Sequence, residues 1–178
     1  MRISLKVLIT LVAGLVTALP GAARAQSEGT RSPVPHTQVI STNPFLLLGS
    51  WLNVEYERKV SSTATVGAMG SHLTLDGDDD EDVGFTGLSA FYRYYPQGAA
   101  LNGFYLEGRG GLFHVAGEDD SGQAFTVGIH IGYAWLFGAE RSFYISAGVG
   151  ADRFFGGDLQ GASPTLPSFR LVKIGIAF

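Results

Sequence analysis

Four histidines, a handful of serines and a run of carboxylates are the residues of this 178-residue chain whose types could do chemistry. A serine hydrolase needs a serine within hydrogen-bond reach of a base, so each histidine is weighed against its nearest serine. His36 lies in an N-terminal leader, His72 near the end of a weak strand, and His114 on the outer parity of its strand. Only His130 points to the inner face of the sheet. Its nearest inward serine on the following strand is Ser146. If that hairpin pairs around Glu140, His130 lies opposite Gly150, and four residues at about 3.3 Å each leave roughly 13 Å to Ser146. That separation argues against a nucleophile and base, and the chain is expected to be no enzyme.

Asp76, Asp78, Asp79, Asp80, Glu81 and Asp82 place six carboxylates around Gly77. Carboxylate oxygens suit calcium or magnesium. The spacing departs from the EF-hand loop, with Glu81 and Gly87 where a glycine and a glutamate belong. Simple solvation of a loop is favoured over a divalent-cation site, and Glu118, Asp119 and Asp120 add a second acidic loop. The absence of cysteine excludes a disulfide scaffold and a thiolate zinc site. Twelve basic against 16 acidic residues, a formal charge of -4, argue against a nucleic-acid partner. No cofactor and no confident metal site are expected.

These residues must be positioned by strands. The chain is 46% hydrophobic yet holds 25 glycines, which disfavour helices. Residues 1–25 read as a signal peptide: Arg2 and Lys6 start it, an apolar run follows, and Ala23-Arg24-Ala25 supplies the cleavage site. Its removal after Ala25 takes three basic residues, leaving nine against 16 acidic ones and a formal charge of -7. Residues 26–37 form a polar leader, and 38–178 are the expected barrel.

Within that span apolar and small or polar residues alternate in segments separated by turns, the signature of a membrane barrel. The clearest is 125–137, where Phe125, Val127, Ile129, Ile131, Tyr133, Trp135 and Phe137 alternate with Thr126, Gly128, His130, Gly132, Ala134 and Leu136. Further strands are expected at 51–58, 63–75, 85–95, 104–115, 143–154 and 169–178. An even strand count requires an eighth, placed at 38–47 with Pro44 at a bulge and a tight turn at Gly49-Ser50. Connections sort into loops at 76–82, 116–123 and 156–167 and shorter turns at 59–62, 96–102 and 138–142. Aromatic girdles are assigned to Tyr56, Tyr92, Tyr94, Phe104, Trp135, Phe143 and Phe178 at the turn end, and to Phe85, Phe125, Phe154 and Phe169 at the loop end. The fold class is thus all-β: an eight-stranded antiparallel transmembrane β-barrel following a cleaved signal peptide.

Eight strands leave an interior wide enough for side chains or one small ligand. The inward set includes Glu55, Glu57, Glu107 and Asp152 against Arg93, Arg109 and Lys173, with His130 beside Arg109. A plug of ion pairs is expected there rather than an ion path, because unpaired buried charges are costly. Arg153 and Arg170 near the outer rim could contact lipid phosphates.

The chain end LPSFRLVKIGIAF, with Val172, Ile174, Ile176 and Phe178 at alternate positions, resembles the C-terminal assembly signal of outer-membrane barrels, although its glycine lies only three positions before Phe178. The segments STNPFLLL, NVEYERKVS, FYRYYP and GFYLEGRGGLF resemble the small outer-membrane barrel superfamily of OmpX-like and OmpA-like domains, in a branch without assigned function. The resemblance covers about residues 39–178. It implies a monomer in the bacterial outer membrane, meeting outer-membrane lipids and lipopolysaccharide, with the barrel-assembly machinery as partner during insertion. It carries no catalytic residue across, and a lipid A- or phospholipid-modifying enzyme stands as one alternative, a narrow channel or carrier for a small apolar molecule as another.

Overall fold

The computed structural model describes residues 36–75, 83–116, 121–156 and 164–178, and four side chains (Ser121, Phe169, Arg170 and Leu171) are left out within them. The expected signal peptide and both acidic loops lie outside the described residues.

Eight antiparallel strands close into a barrel in sequence order. They are β1 (Gln38–Thr42), β2 (Trp51–Lys59), β3 (Ala64–Leu75), β4 (Val83–Tyr94), β5 (Gly103–Ala116), β6 (Ser121–Phe137), β7 (Phe143–Phe155) and β8 (Thr165–Ala177). A single helical turn, α1 (Pro44–Leu47), interrupts the order. Among the described residues no helix is long and apolar enough to cross a membrane, which says nothing about strands.

Closure is made by the chain ends. The Phe178 N–H donates to the Gln38 carbonyl at 2.9 Å and the Gln38 N–H returns to the Phe178 carbonyl at 2.9 Å. The register from Ile40 through Tyr56, Ala68, Ala90, Gly110, Val127 and Arg153 reaches Thr165, whereas Ile40 pairs directly with Ile176. The sheet therefore closes with a stagger of eleven residues (176 − 165), including the register shift opposite Ser146 and Gly148. At ~3.3 Å per residue and ~4.8 Å between strands, this stagger tilts the strands about 40° from the barrel axis.

The first strand is corrected. It ends at Thr42, and residues 44–47 are helical rather than extended. Proline has no N–H to give a strand but suits the first turn of a helix, where that donor has no partner. Asn43 caps the turn: its Oδ1 accepts from Phe45 N at 3.0 Å and Leu46 N at 3.3 Å. The connection to β2 thus occupies residues 43–50 instead of a tight turn at Gly49-Ser50. The last strand begins at Thr165, four positions before the expected start.

Alternation sorts side chains as expected along most strands. Leu52, Val54 and Tyr56 are exposed while Asn53, Glu55 and Glu57 are buried. Two girdle aromatics are corrected: Phe85 pairs with Leu73 and Val115, and Phe154 with Thr126, on inward rows. Side chains alternate with a period of two, so a shift of one residue moves an aromatic to the other face. The outward aromatics near the loop end are Phe125 and Phe155, with ring centroids 6.3 Å apart. The Phe169 side chain lies outside the described set.

The interior is layered. At the turn end Val39, Tyr95, Leu101, Tyr105, Leu136 and Tyr144 belong to one buried apolar cluster. The turn after β4 folds under the barrel to reach it, with Tyr95 N donating to Thr63 O at 2.7 Å and Ala100 N to Ser62 O at 2.8 Å. A layer of charge lies directly above.

Candidate functional site

Inward positions of seven strands build the charged layer. Its centre is Arg93 on β4, completely buried. Its Nε donates to Glu107 Oε2 at 2.7 Å and its Nη2 to Glu55 Oε1 at 2.7 Å. Its Nη1 donates to Glu57 and, at 3.3 Å, meets the Tyr144 hydroxyl. A guanidinium presents five N–H donors in a fixed planar fork, and here three carboxylates from two strands surround it. The guanidinium also lies over the rings of Phe91 and Tyr105, with Arg93 Cζ 4.5 and 4.7 Å from their centroids. Stacking on aromatic faces adds to the hydrogen bonds.

The carboxylates are further satisfied. Lys173 on β8 donates to Glu55 Oε2. Thr65 and Tyr95 hydroxyls donate to Glu57 Oε1 at 2.5 and 2.9 Å. Charges buried in this way cost several kcal/mol each unless partners saturate them, and the interior supplies those partners.

One cross-strand row explains the neighbours. Thr65, Arg93, Glu107, His130 and Gly150 stand opposite one another in turn across β3 to β7. His130 is enclosed between two carboxylates, with Nδ1 3.6 Å from Glu107 Oε1 and Nε2 3.3 Å from Asp152 Oδ2. Arg109, one inward position further along β5, approaches Glu107 Oε1 with its Nε at 3.4 Å. Glu55, Glu57, Arg93, Glu107, Arg109, His130, Asp152 and Lys173 are thus brought into one continuous cluster. His130 faces Glu107 directly, and Arg109 is its diagonal neighbour.

Glycines on adjacent strands make the room. A side chain on Gly150 or Gly128 would run into the His130 ring, and one on Gly67 into Phe91. Tyr105 lies against Gly132 and Gly148 in the same manner.

Thr65, Tyr95, Tyr105 and Tyr144 were not singled out by residue chemistry, although all four follow inward alternation. Their signal was available: a buried tyrosine needs a partner for its hydroxyl, and charged residues share its face.

Ser146 stands opposite Ala134 and His130 opposite Gly150, so the expected hairpin register holds. Among the described residues no group of three His, Asp or Glu side chains converges to hold a metal. The expected divalent-cation residues Asp76, Asp78, Asp79, Asp80, Glu81 and Asp82 lie outside the described residues. Ile174, Ile176 and Phe178 alternate with inward Lys173, Gly175 and Ala177, while Val172 falls at the register shift.

No family model matches this chain, and neither the curated proteins nor the solved structures give a match.

Proposed function

We propose that the protein is an integral barrel of the bacterial outer membrane with a structural or surface-interaction role. One observation carries the reading: the distribution of polarity is inside out. Leu88, Leu112, Ile129 and Ile176 stand more than 60% exposed on the outer face, while Arg93, Glu55, Glu57 and Glu107 are buried inside. Exposed apolar area of this extent marks contact with something apolar. A closed barrel satisfies every ladder hydrogen bond within the chain, as hydrocarbon requires.

The outer face fits a bilayer in detail. Tyr92, Tyr94, Phe137, Phe143 and Phe178 are exposed near the turn end. Arg153 is exposed near the loop end, with its Cζ 5.3 Å from the Phe155 ring, suited to lipid and lipopolysaccharide phosphates. In this reading residues 1–25 direct export and are cleaved after Ala25. The C-terminal strand, with Val172, Ile174, Ile176 and Phe178, engages the assembly machinery, and the finished barrel is a monomer. The charged layer is a plug and performs no catalysis, because its strongest hydrogen-bonding groups are consumed by one another.

Cell fractionation combined with heat-modifiable migration in detergent gels tests the proposal. The expected result is outer-membrane recovery and a fast-migrating unheated band. Recovery of the mature chain as a soluble monomer without detergent would overturn it.

A further inference from the structure

β1 is too short to complete the barrel wall. It pairs with β8 only from Val39 to Thr42, opposite Ala177 to Ile174. β8 continues from Lys173 back to Thr165 toward the loop end, and there its only ladder partner among the described residues is β7. β2 also outruns β1, and its residues Trp51 to Val54 pair in register with β3 alone. α1 stands in the interval and touches both β2 and β8. An open strand edge presents unpaired backbone groups, which hydrocarbon does not tolerate uncovered.

The connection that holds α1 differs from the others at its end of the barrel. Four connections lie at the loop end, after β1, β3, β5 and β7. The later three carry carboxylates: six between β3 and β4, three between β5 and β6, and Asp158 between β7 and β8. From Val39 to Val54 the chain holds no charged residue. α1 buries none of its residues, and Phe45, Leu47 and Leu48 are exposed. Leu48, at 87%, is the most exposed large apolar side chain among the described residues. The polar groups of the turn face the other way, since Asn43 and Asn53 are both buried. The apolar patch continues into the outer wall, with Ile40 before it on β1 and Leu52 and Val54 after it on β2. Leu52 is in register with His72, a polar position of the outer face on β3. The turn therefore stands at the margin of the apolar belt.

We propose that α1 is an interfacial anchor, with Phe45, Leu47 and Leu48 seated among the acyl chains of the outer leaflet. It thereby covers the wall where β1 stops. The inference rests on the outer-membrane reading above. A segment lying in the plane of a membrane binds through the apolar area it buries at the boundary of headgroups and chains. Uncharged sequence, outward leucines and continuity with the belt supply that area here, whereas the acidic connections belong in water.

The chain has no cysteine, so a single introduced cysteine reports its own position. The full mature chain with Leu48→Cys is labelled with a nitroxide and folded into dilauroylphosphatidylcholine vesicles. Collision of the label with oxygen and with a water-soluble nickel chelate is then measured. Ile129→Cys marks the bilayer, and Ser61→Cys, exposed in the turn between β2 and β3, marks water. The oxygen-to-nickel ratio at Leu48 is expected severalfold above that at Ser61 and below that at Ile129. A ratio at Leu48 equal to that at Ser61, with Ile129 still shielded from nickel, would overturn the anchor and leave the barrel in the membrane. Ratios equal to that at Ser61 for both Leu48 and Ile129 would overturn the membrane reading and the anchor with it. Migration of unheated samples verifies that each labelled chain is folded. Leu47→Cys carries the same expectation and decides the matter if the Leu48 variant does not fold.

Discussion

Arg93 is held by three carboxylates at once, and removing its charge leaves them facing one another without water. Breaking a buried ion pair from one side costs about 3–5 kcal/mol, more than the net worth of the intact pair. Arg93→Gln is therefore expected to lose about that much stability in urea unfolding of the folded barrel, and an unchanged midpoint would contradict the plug. The glycines beside the cluster give a second prediction. An alanine methyl at Gly150 would collide with the His130 ring and with the Ile129 carbonyl, whereas one at Gly108 meets nothing within 4 Å. Overpacking at Gly150→Ala should cost about 1–3 kcal/mol, and Gly108→Ala should stay within about 0.5 kcal/mol of the parent. Equal midpoints for the two variants would show that the His130 seat is loose. These glycines account for part of the composition that makes the chain unusual: flat rings inside a narrow barrel need a neighbour without a side chain.

At the scale of elements, α1 shows local chemistry overriding alternation. Residues 38–47 read as one strand by hydrophobicity, but Pro44 follows an asparagine able to cap a helix. The strand stops where its next residue could donate nothing to the ladder. Asn53 fastens the transition, its Oδ1 accepting from Asn43 N at 3.0 Å and its carbonyl accepting from Thr42 Oγ1 at 2.6 Å. Asn43→Ala removes the cap and should cost about 1 kcal/mol. The loss should be visible as faster amide exchange at Phe45 and Leu46, whose N–H groups the cap satisfies. Exchange unchanged at both positions would remove the cap as the reason for the helical turn. Elsewhere the elements were legible because their period of two is long and uninterrupted. β6 extends over 17 residues with its large outward set at odd positions, and no other period fits it. Boundaries were less legible, since Thr165 to Ser168 continue β8 through Pro167 by pairing with β7 rather than by hydrophobicity.

For the whole molecule, the outer face decides the environment. Ile129 is 73% exposed and stands near the middle of the outward row of β6. An arginine there should cost about 2–4 kcal/mol if the position faces the centre of a bilayer. The same Ile129→Arg change should be nearly neutral, within about 0.5 kcal/mol, if the face meets water. Refolding yield and urea midpoints in lipid vesicles separate the two outcomes. The position matters because the apolar run is shorter on β3, on another part of the barrel wall. On β3 the outward row passes from Val66 and Ala68 to His72, whose Nδ1 lies 2.9 Å from Thr86 Oγ1. A polar pair at that height marks where the apolar belt ends on that side.

Seven of the strands, their antiparallel order and the inward charged set are legible in the residues alone. Each follows from the alternation of side chains along a strand, and alternation is local. It also placed tyrosines and small residues on the inward face beside those charges. Which groups pair was decided only by closure. Arg93 meets Glu107 as a cross-strand neighbour, but it reaches Glu55 and Glu57 on β2 past the intervening β3, 38 and 36 positions away in sequence. Those contacts depend on barrel diameter and on the eleven-residue stagger, quantities that belong to the closed sheet and to no single strand. The unmatched edge of Arg109 comes instead from the hairpin pairing. Glu107 sits two positions away on its own strand, yet its other oxygen accepts from Arg93 across the β4–β5 pair, and Arg109 Nε and Nη2 are left buried without a hydrogen-bond partner among the described residues.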